Sequence, residues 1–469
     1  MSDDMQEASS SLPDSWYAAT DTYSRPPGAA VTSEPRWDFV ALVSAVSQVY
    51  RNGAYLGMMK LNGETWMPLG QGTTFRVSRS NMKVTTVSAG GVGKEIVATR
   101  LVLKRNDEEG KLSHGQIRSF IKEIRVLDHM RHHPFIVSLR AIGWFDEYSP
   151  ELDRYSKPGI ILEEASDTLD RIVANDISLP YPDLLRIFGQ ITAGLCALHR
   201  AGVAHGDLKP GNILLFTDYV NRDNTQFETY SVKISDFGSA VFRDEGSLRY
   251  SPGTNGYTAP EVDAYCGEPL QFDQILHADT WSLGILFAVV LCRSRRILKD
   301  ASECQNVASR IRLFISSVQR HLESSAADGS ETDVLLQVIR STLKKQPSAR
   351  ELSTVEENLR PFVDVPITEA PNPLRMLPDK ELYLGYESLK SLSGPFKDDL
   401  IHITQLTTAF VISASPLKWE TFAPWLCATG YTMRLAAMLW VKLRKPRGCS
   451  GSKKRQRADM KALLRSYET

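Results

Sequence analysis

The chain has 469 residues, with 55 Lys+Arg against 55 Asp+Glu, and 42% of it is hydrophobic. That length accommodates about two to four domains with ample buried core, and the composition excludes a disordered or fibrous chain. The zero net charge removes the simplest case for binding a polyanion or an anionic membrane. Six cysteines (Cys196, Cys266, Cys292, Cys304, Cys427, Cys449) form no CxxC pair, and the start Met1-Ser-Asp-Asp is acidic with no apolar run behind it. Both point to free thiols in a reducing, intracellular setting, cytoplasmic and/or nuclear. His132-His133 has no second pair at ligand spacing, so Cys/His spacing suggests no metal site.

Residues 1–35 hold six acids against one Arg and are rich in Ser, Pro and Thr, the composition of a disordered acidic head. Between Trp37 and Tyr50, Phe39, Val40, Val43, Val46 and Val49 recur at near-helical spacing and predict a short amphipathic helix. Strands are predicted at Trp66–Leu69, Thr73–Ser78, Thr99–Lys104 and Gly159–Leu162. A helix over Gln116–Met130 would present Phe120, Ile124 and Leu127 on one face. Beyond these, Asp183–His199 carries the stripe Leu184, Ile187, Phe188, Ile191, Leu195, Leu198, and Trp281–Leu291 is apolar all round. The sum is an α+β chain, a β-rich part with one helix before a mainly helical part.

Leu69-Gly-Gln-Gly-Thr-Thr-Phe-Arg-Val77 puts glycines between two strands, where backbone N–H groups can approach phosphate; taken singly it is a weak signal. His205-Gly-Asp-Leu-Lys-Pro-Gly-Asn212 is stronger. It gathers an acid able to accept a hydroxyl proton (Asp207), a cation able to neutralise a phosphoryl group (Lys209) and an amide oxygen suited to a hard cation (Asn212). Asp236-Phe-Gly238 follows a strand-like Val232–Ser235, and then come Gly253-Thr-Asn-Gly-Tyr-Thr-Ala-Pro-Glu261 and Asp279-Thr-Trp-Ser-Leu-Gly284.

In this order and spacing the motifs resemble the eukaryotic protein kinase family, Ser/Thr type, over about Trp66–Arg350. The resemblance implies a bilobal fold, with a small β-rich N-lobe holding one helix and a larger, mainly helical C-lobe. It implies Mg2+-ATP as cofactor and a protein substrate phosphorylated on Ser/Thr. Carried over by residue, Gly70 and Gly72 resemble the loop over the ATP phosphates, and Val77 would pack on adenine. Lys104 would hold the α/β-phosphates with Glu123, nineteen residues on, as its helix partner. Leu162 resembles the residue behind adenine, and Glu163, Glu164 and Ala165 the hinge whose backbone pairs with it. Asp207 would be the catalytic base, Lys209 the γ-phosphate contact, and Asn212 and Asp236 the Mg2+ ligands. Thr254 would sit beside Asp207, Glu261 would pair with Arg350, and Asp279 would brace the catalytic loop.

Three departures stand out. Phe75 replaces the third loop glycine. A Gly-containing insert, Ser88–Lys94, stretches the hairpin between Gly70 and Lys104, and its partial likeness to a P-loop lacks the first Gly and the Ser/Thr after Lys. Gly206 stands where the family has Arg, the residue that answers a phosphate on the activation segment. Activity is therefore expected not to depend strongly on phosphorylation within Asp236–Glu261. The rival readings are a kinase-fold scaffold that binds ATP or partners without transferring phosphate, and a small-molecule kinase, which the complete Ala-Pro-Glu261 region disfavours.

The expected layout is an acidic head (1–35), a short amphipathic extension (36–62), N-lobe and hinge (63–165), C-lobe (166–361), an apolar extension (362–441) and a basic tail (442–469). Ala423–Val441 approaches membrane-span length, but Arg434, Pro424 and Gly430 favour packing on the lobe or a partner over a tail anchor. Residues 442–469 hold ten Lys/Arg and two acids, with clusters through Lys442–Arg457. That suits nuclear import or polyanion contact, with a solvated tail as the plain alternative.

Overall fold

A computed structural model describes Ala45 and residues 55–59, 67–71, 76–87, 93–105, 114–147, 155–222, 225–245, 253–264, 269–324, 329–363 and 373–374. The acidic head, most of the apolar extension including Ala423–Val441, the basic tail, Gly72 and Phe75 lie outside these residues. Of the helix expected at Trp37–Tyr50 only Ala45 is described, as helical and buried.

The first lobe is one sheet of β1 (Tyr55–Met59), β2 (Met67–Gln71), β3 (Arg76–Val87), β4 (Gly93–Arg105), β5 (Leu139–Glu147) and β6 (Tyr155–Glu163), in the order β1-β5-β6-β4-β3-β2. Helix α1 (His114–His129) connects β4 to β5, and Phe120, Ile124 and Leu127 are buried as their spacing requires. Two strands were not anticipated. β5 supplies the partner of β6, and β1 lies within the segment read as an amphipathic extension, pairing parallel to β5 at the sheet edge. The insert expected at Ser88–Lys94 falls in the β3–β4 hairpin, and its first five residues lie outside the described ones. β3 and β4 run on as a long hairpin with Val87 opposite Gly93, so Gly93 and Lys94 are strand. The β-branched runs Val84-Thr-Thr-Val87 and Ile96-Val97 favour pleated pairing over an irregular loop.

The second lobe begins with β7 (Asp167–Thr168), α2 (Leu169–Ala174) and α3 (Tyr181–Arg200), followed by β8 (Val203–Ala204), β9 (Ile213–Arg222), β10 (Thr225–Ile234) and β11 (Val241–Phe242). It closes with α4 (Pro260–Ala264), α5 (Phe272–Leu291), α6 (Arg296–Ser302), α7 (Val307–Glu323), α8 (Gly329–Thr342) and α9 (Leu352–Leu359). The six-residue stripe predicted on α3 is buried throughout. α5 is capped reciprocally by Gln271 and Gln274 and is buried over most of its length, with Phe287 stacked on Phe188 at 3.9 Å. Among the described residues α5 alone is long and apolar enough to cross a membrane, and its burial identifies it as the core helix of this lobe.

Two contacts lock the lobes together where the motifs lie. Val137 N–H donates to the Ile234 carbonyl (3.0 Å), and Ile234 N–H to that of Phe135 (2.9 Å). This fixes β10 two residues before Asp236. Past the lobe, Leu374 is buried and its N–H reaches the Ala201 carbonyl at 2.7 Å, so the chain beyond α9 returns to the end of α3.

Candidate active site

The loop after β8 is held from below by α5. Asp279, buried in the lobe, accepts from the backbone N–H of His205 (2.7 Å) and Gly206 (2.9 Å) and bonds His199 Nε2 at 3.0 Å. A carboxylate accepting several N–H bonds is a strong anchor in a low-dielectric interior. His205 bonds the Ser235 carbonyl through Nε2 (3.0 Å) and accepts from Asp207 N–H at Nδ1 (3.2 Å), which fits the neutral Nε2–H tautomer. Its ring lies 5.4 Å from that of buried Phe237. Gly206 has φ +80°, a backbone state that side chains with a Cβ rarely adopt.

Around Asp207 the expected residues converge. Its Oδ1 accepts from Thr254 N–H and Oγ1, both at 2.8 Å, and its Oδ2 from Lys209 Nζ at 2.6 Å. Lys209 also donates to Thr254 Oγ1 at 2.6 Å, closing a ring of three side chains. Asn212 Nδ2 donates to the Asp207 carbonyl at 2.7 Å, which leaves Oδ1 as the amide's remaining acceptor. The Asn212 carbonyl takes both N–H and Oγ–H of Ser235 at 2.9 Å. Asn212 is thereby tied to the residue before Asp236. Asp236 itself sits at φ 65°, ψ 74°, the turn from which the buried Phe237 departs.

This donor set suits a hard cation. Asn212 and Asp236 offer oxygen, and two protein oxygens suit Mg2+ that would share phosphate oxygens rather than a cage built by protein alone.

In the first lobe, Gly70 and Lys104 are both cross-strand partners of Val77, which is half-buried, and Lys104 is also opposite Ile160. Glu123 on α1 is fully buried and Leu162 nearly so. Glu163 ends β6, with Glu164 and Ala165 following outside any regular element. The Glu163 carboxylate accepts from Ser138 N–H (2.7 Å), Lys233 Nζ (2.7 Å) and Arg140 (3.3 Å). Its N–H also donates to the Ser138 carbonyl at 3.2 Å, so Glu163 ties β6 to the start of β5 through both side chain and backbone. Glu261 and Arg350 form the expected pair, their second contact at 2.9 Å, with the buried guanidinium 4.8 Å over the Trp281 ring and also bonded to the Lys344 and His277 carbonyls.

Two tightly packed positions next to these motifs escaped the sequence reading. A Cβ on Gly253 would lie 2.8 Å from the Gly206 carbonyl oxygen and 2.9 Å from Asp207 Oδ1, so this glycine lets Thr254 reach Asp207. Its place at the head of the Gly253–Glu261 motif was the available signal. Glu245, in the turn after β11, is buried among cations of α1; nothing local in the sequence marks it.

Comparison with known proteins agrees with this geometry. Residues 67–360 match the protein kinase domain, and the chain belongs to the protein kinase family. It is 29% identical over 273 residues to serine/threonine-protein kinase 17A of Oryctolagus cuniculus, covering 57% of this chain and 59% of that protein. It is 34% identical over 179 residues to calcium/calmodulin-dependent protein kinase type 1 of Caenorhabditis elegans (38% and 44%). A third relative is CBL-interacting serine/threonine-protein kinase 7 of Arabidopsis thaliana, 30% identical over 202 residues (42% and 40%). The chain thus spans 40–59% of the length of these three curated relatives.

Proposed function

We propose that the chain is an ATP-dependent protein serine/threonine kinase, with the Asp207–Lys209–Thr254 ring, bonded to Asn212 through the Asp207 carbonyl, as the observation that carries the reading. Its kinase-family domain and the names of its relatives support the same class. ATP bound with Mg2+ would supply the transferable γ-phosphoryl group. Asp207 accepts the substrate hydroxyl proton, and Thr254 and Lys209 fix where its carboxylate points. Lys209 places a positive charge beside that carboxylate, where charge develops as phosphoryl leaves ADP. Asn212 and Asp236 would hold Mg2+. Lys104, with Glu123 as its partner, would hold the α/β-phosphates, Gly70 and Gly72 would belong to the loop over them, and Val77, Leu162 and the Glu163–Ala165 backbone would receive adenine. Because Gly206 brings no guanidinium to the activation segment, activity stands without strong dependence on its phosphorylation. An intracellular setting, with Lys442–Arg457 contacting an import factor or polyanion, is the matching reading of composition and charge.

The test is phosphate transfer to a generic protein substrate by wild type, Asp207→Asn and Asp236→Asn. A loss of about a hundredfold or more in both variants is expected, and wild type treated with phosphatase should keep most of its rate. Equal signals from all three proteins would favour a kinase-fold scaffold. Loss of nearly all activity on phosphatase treatment, repeated by Ala at Ser239, Ser247, Tyr250 and Ser251, would overturn phosphorylation independence.

A further inference from the structure

If no phosphate orders the segment after Asp236, some other anion must hold α1 against it, because Glu123 works only when α1 lies against the cleft. Glu245 has the required position. It ends the turn Arg243–Glu245 directly after β11, and β11 pairs with β8, the strand that leads into His205. Its side chain is 2% exposed. Oε1 accepts from Arg118 at 3.1 Å, and Oε2 faces Lys122 Nζ at 3.2 Å and accepts from Phe242 N–H at 2.9 Å. Lys122 Nζ also donates to the Ala240 carbonyl at 2.7 Å, giving α1 a second hold on the same segment.

Arg118 and Lys122 are one helical turn apart on α1, adjacent to Ser119 and Glu123. Ser119 packs so closely on Gly238, the last residue of Asp236-Phe-Gly, that a Cβ there would collide with its hydroxyl. Fixing residues 118 and 122 therefore fixes the turn that carries Glu123. Burial lowers the Lys122 ammonium below its ordinary range while Glu245 pulls it back, so the carboxylate sustains the charge it pairs with.

We propose that Glu245 is a positioning residue for phosphoryl transfer: a permanent anion that clasps Arg118 and Lys122, holding α1, and with it Glu123, in the catalytic position without a phosphate on the activation segment. The inference rests on the kinase reading and on the phosphorylation independence proposed above. It assigns that independence to one carboxylate.

The experiment uses the full chain, as wild type, Glu245→Gln and the double variant Arg118→Ala/Lys122→Ala. Amide hydrogen exchange is followed in the peptides covering 114–129 and 181–200, alongside kcat and KM for MgATP. Exchange in 114–129 should accelerate about tenfold or more in both variants with 181–200 unchanged. KM for MgATP should rise and kcat fall, because the lost contact orients the phosphate-holding pair, and phosphatase should change nothing. Wild-type exchange in 114–129 in both variants would overturn the clasp, as would loss of activity in Glu245→Gln alone. Should Glu245→Gln loosen 181–200 as well, it has unfolded and the double variant decides. A wild type that transfers no phosphate defeats the kinase reading, and the exchange arm then still decides whether Glu245 holds α1.

Discussion

Replacing Gly253 by Ala tests how tightly the Asp207 carboxylate, the proposed catalytic base, is seated. The added Cβ would meet the Gly206 carbonyl oxygen at 2.8 Å, Asp207 Oδ1 at 2.9 Å and Asp207 Cα at 3.3 Å. Two of the three are backbone atoms, so no rotamer change relieves the collision. Restoring ordinary contact at 3.4 Å requires the strands of chain to part by about 0.6 Å at the closest point. That movement comes out of the 2.8 Å bonds from Thr254 to Asp207 Oδ1, since Thr254 is the next residue. Overpacking of this size costs about 1–3 kcal/mol, and misplacing a reacting group by about 1 Å costs on the order of a hundredfold in rate. The expected result is a kcat reduced about 10–100-fold with KM for MgATP near wild type, since no contact of β1–β6 is touched. Tm should fall by about 2–10 °C. A kcat within about twofold of wild type would refute the claim that Gly253 sets the position of Asp207.

Asp279→Asn should destabilise the second lobe by about 2–4 kcal/mol in urea unfolding, because an amide nitrogen would face one of the buried N–H groups that the carboxylate now satisfies; a change below about 0.5 kcal/mol would show that the bonds to His205 and Gly206 carry little. His133 has its pKa lowered to about 4, first by burial and then by Arg200, and its Nδ1 accepts from Phe135 N–H at 3.3 Å. The unfolded chain binds this proton at its ordinary value of 6.5 while the folded one does not. Stability is then complete above about pH 6.5 and falls as pH drops toward 4, by about 1–3 kcal/mol after discounting for partial exposure. A ring-proton titration with its midpoint at 6.5 would contradict this, and His133→Gln should flatten that part of the pH profile.

What the sequence disclosed tracks how local each feature is. The α1 and α3 faces were readable because burial follows a 3.6-residue period within a single segment. The residues around Asp207 were readable because His205–Asn212 are contiguous and the remaining motifs follow in fixed order. β1 was hidden because Tyr55–Met59 becomes a strand only through parallel pairing with β5, more than 80 residues away. β9 and β10 extend well past their apolar inner ends, through Asp218, Asn221, Gln226 and Glu228, where pairing across the hairpin outweighs weak propensity. Nothing in the run Arg243-Asp244-Glu245 singles out Glu245, because the guanidinium it binds lies 127 positions earlier. Glu163 was read for its backbone, and the work of its side chain in joining β6 to Lys233 of β10 appears only once the lobes are assembled.

Gly206 joins these observations. Its φ of +80° means that an L side chain there would carry a strain of about 1–2 kcal/mol, while its N–H is already committed to Asp279. The loop is thus ordered from beneath, by a buried carboxylate that needs no cation at position 206. Across the cleft, the two cations of α1 that could answer an anion on the segment already face Glu245. A phosphate added after Glu245 would find no arginine at 206 and would compete with a carboxylate that is desolvated and fixed by Phe242 N–H. Under the proposal made above, Gly206 and Glu245 therefore act in the same direction: the loop at Gly206 is held by Asp279 and the cations of α1 by Glu245, both contacts that folding itself supplies.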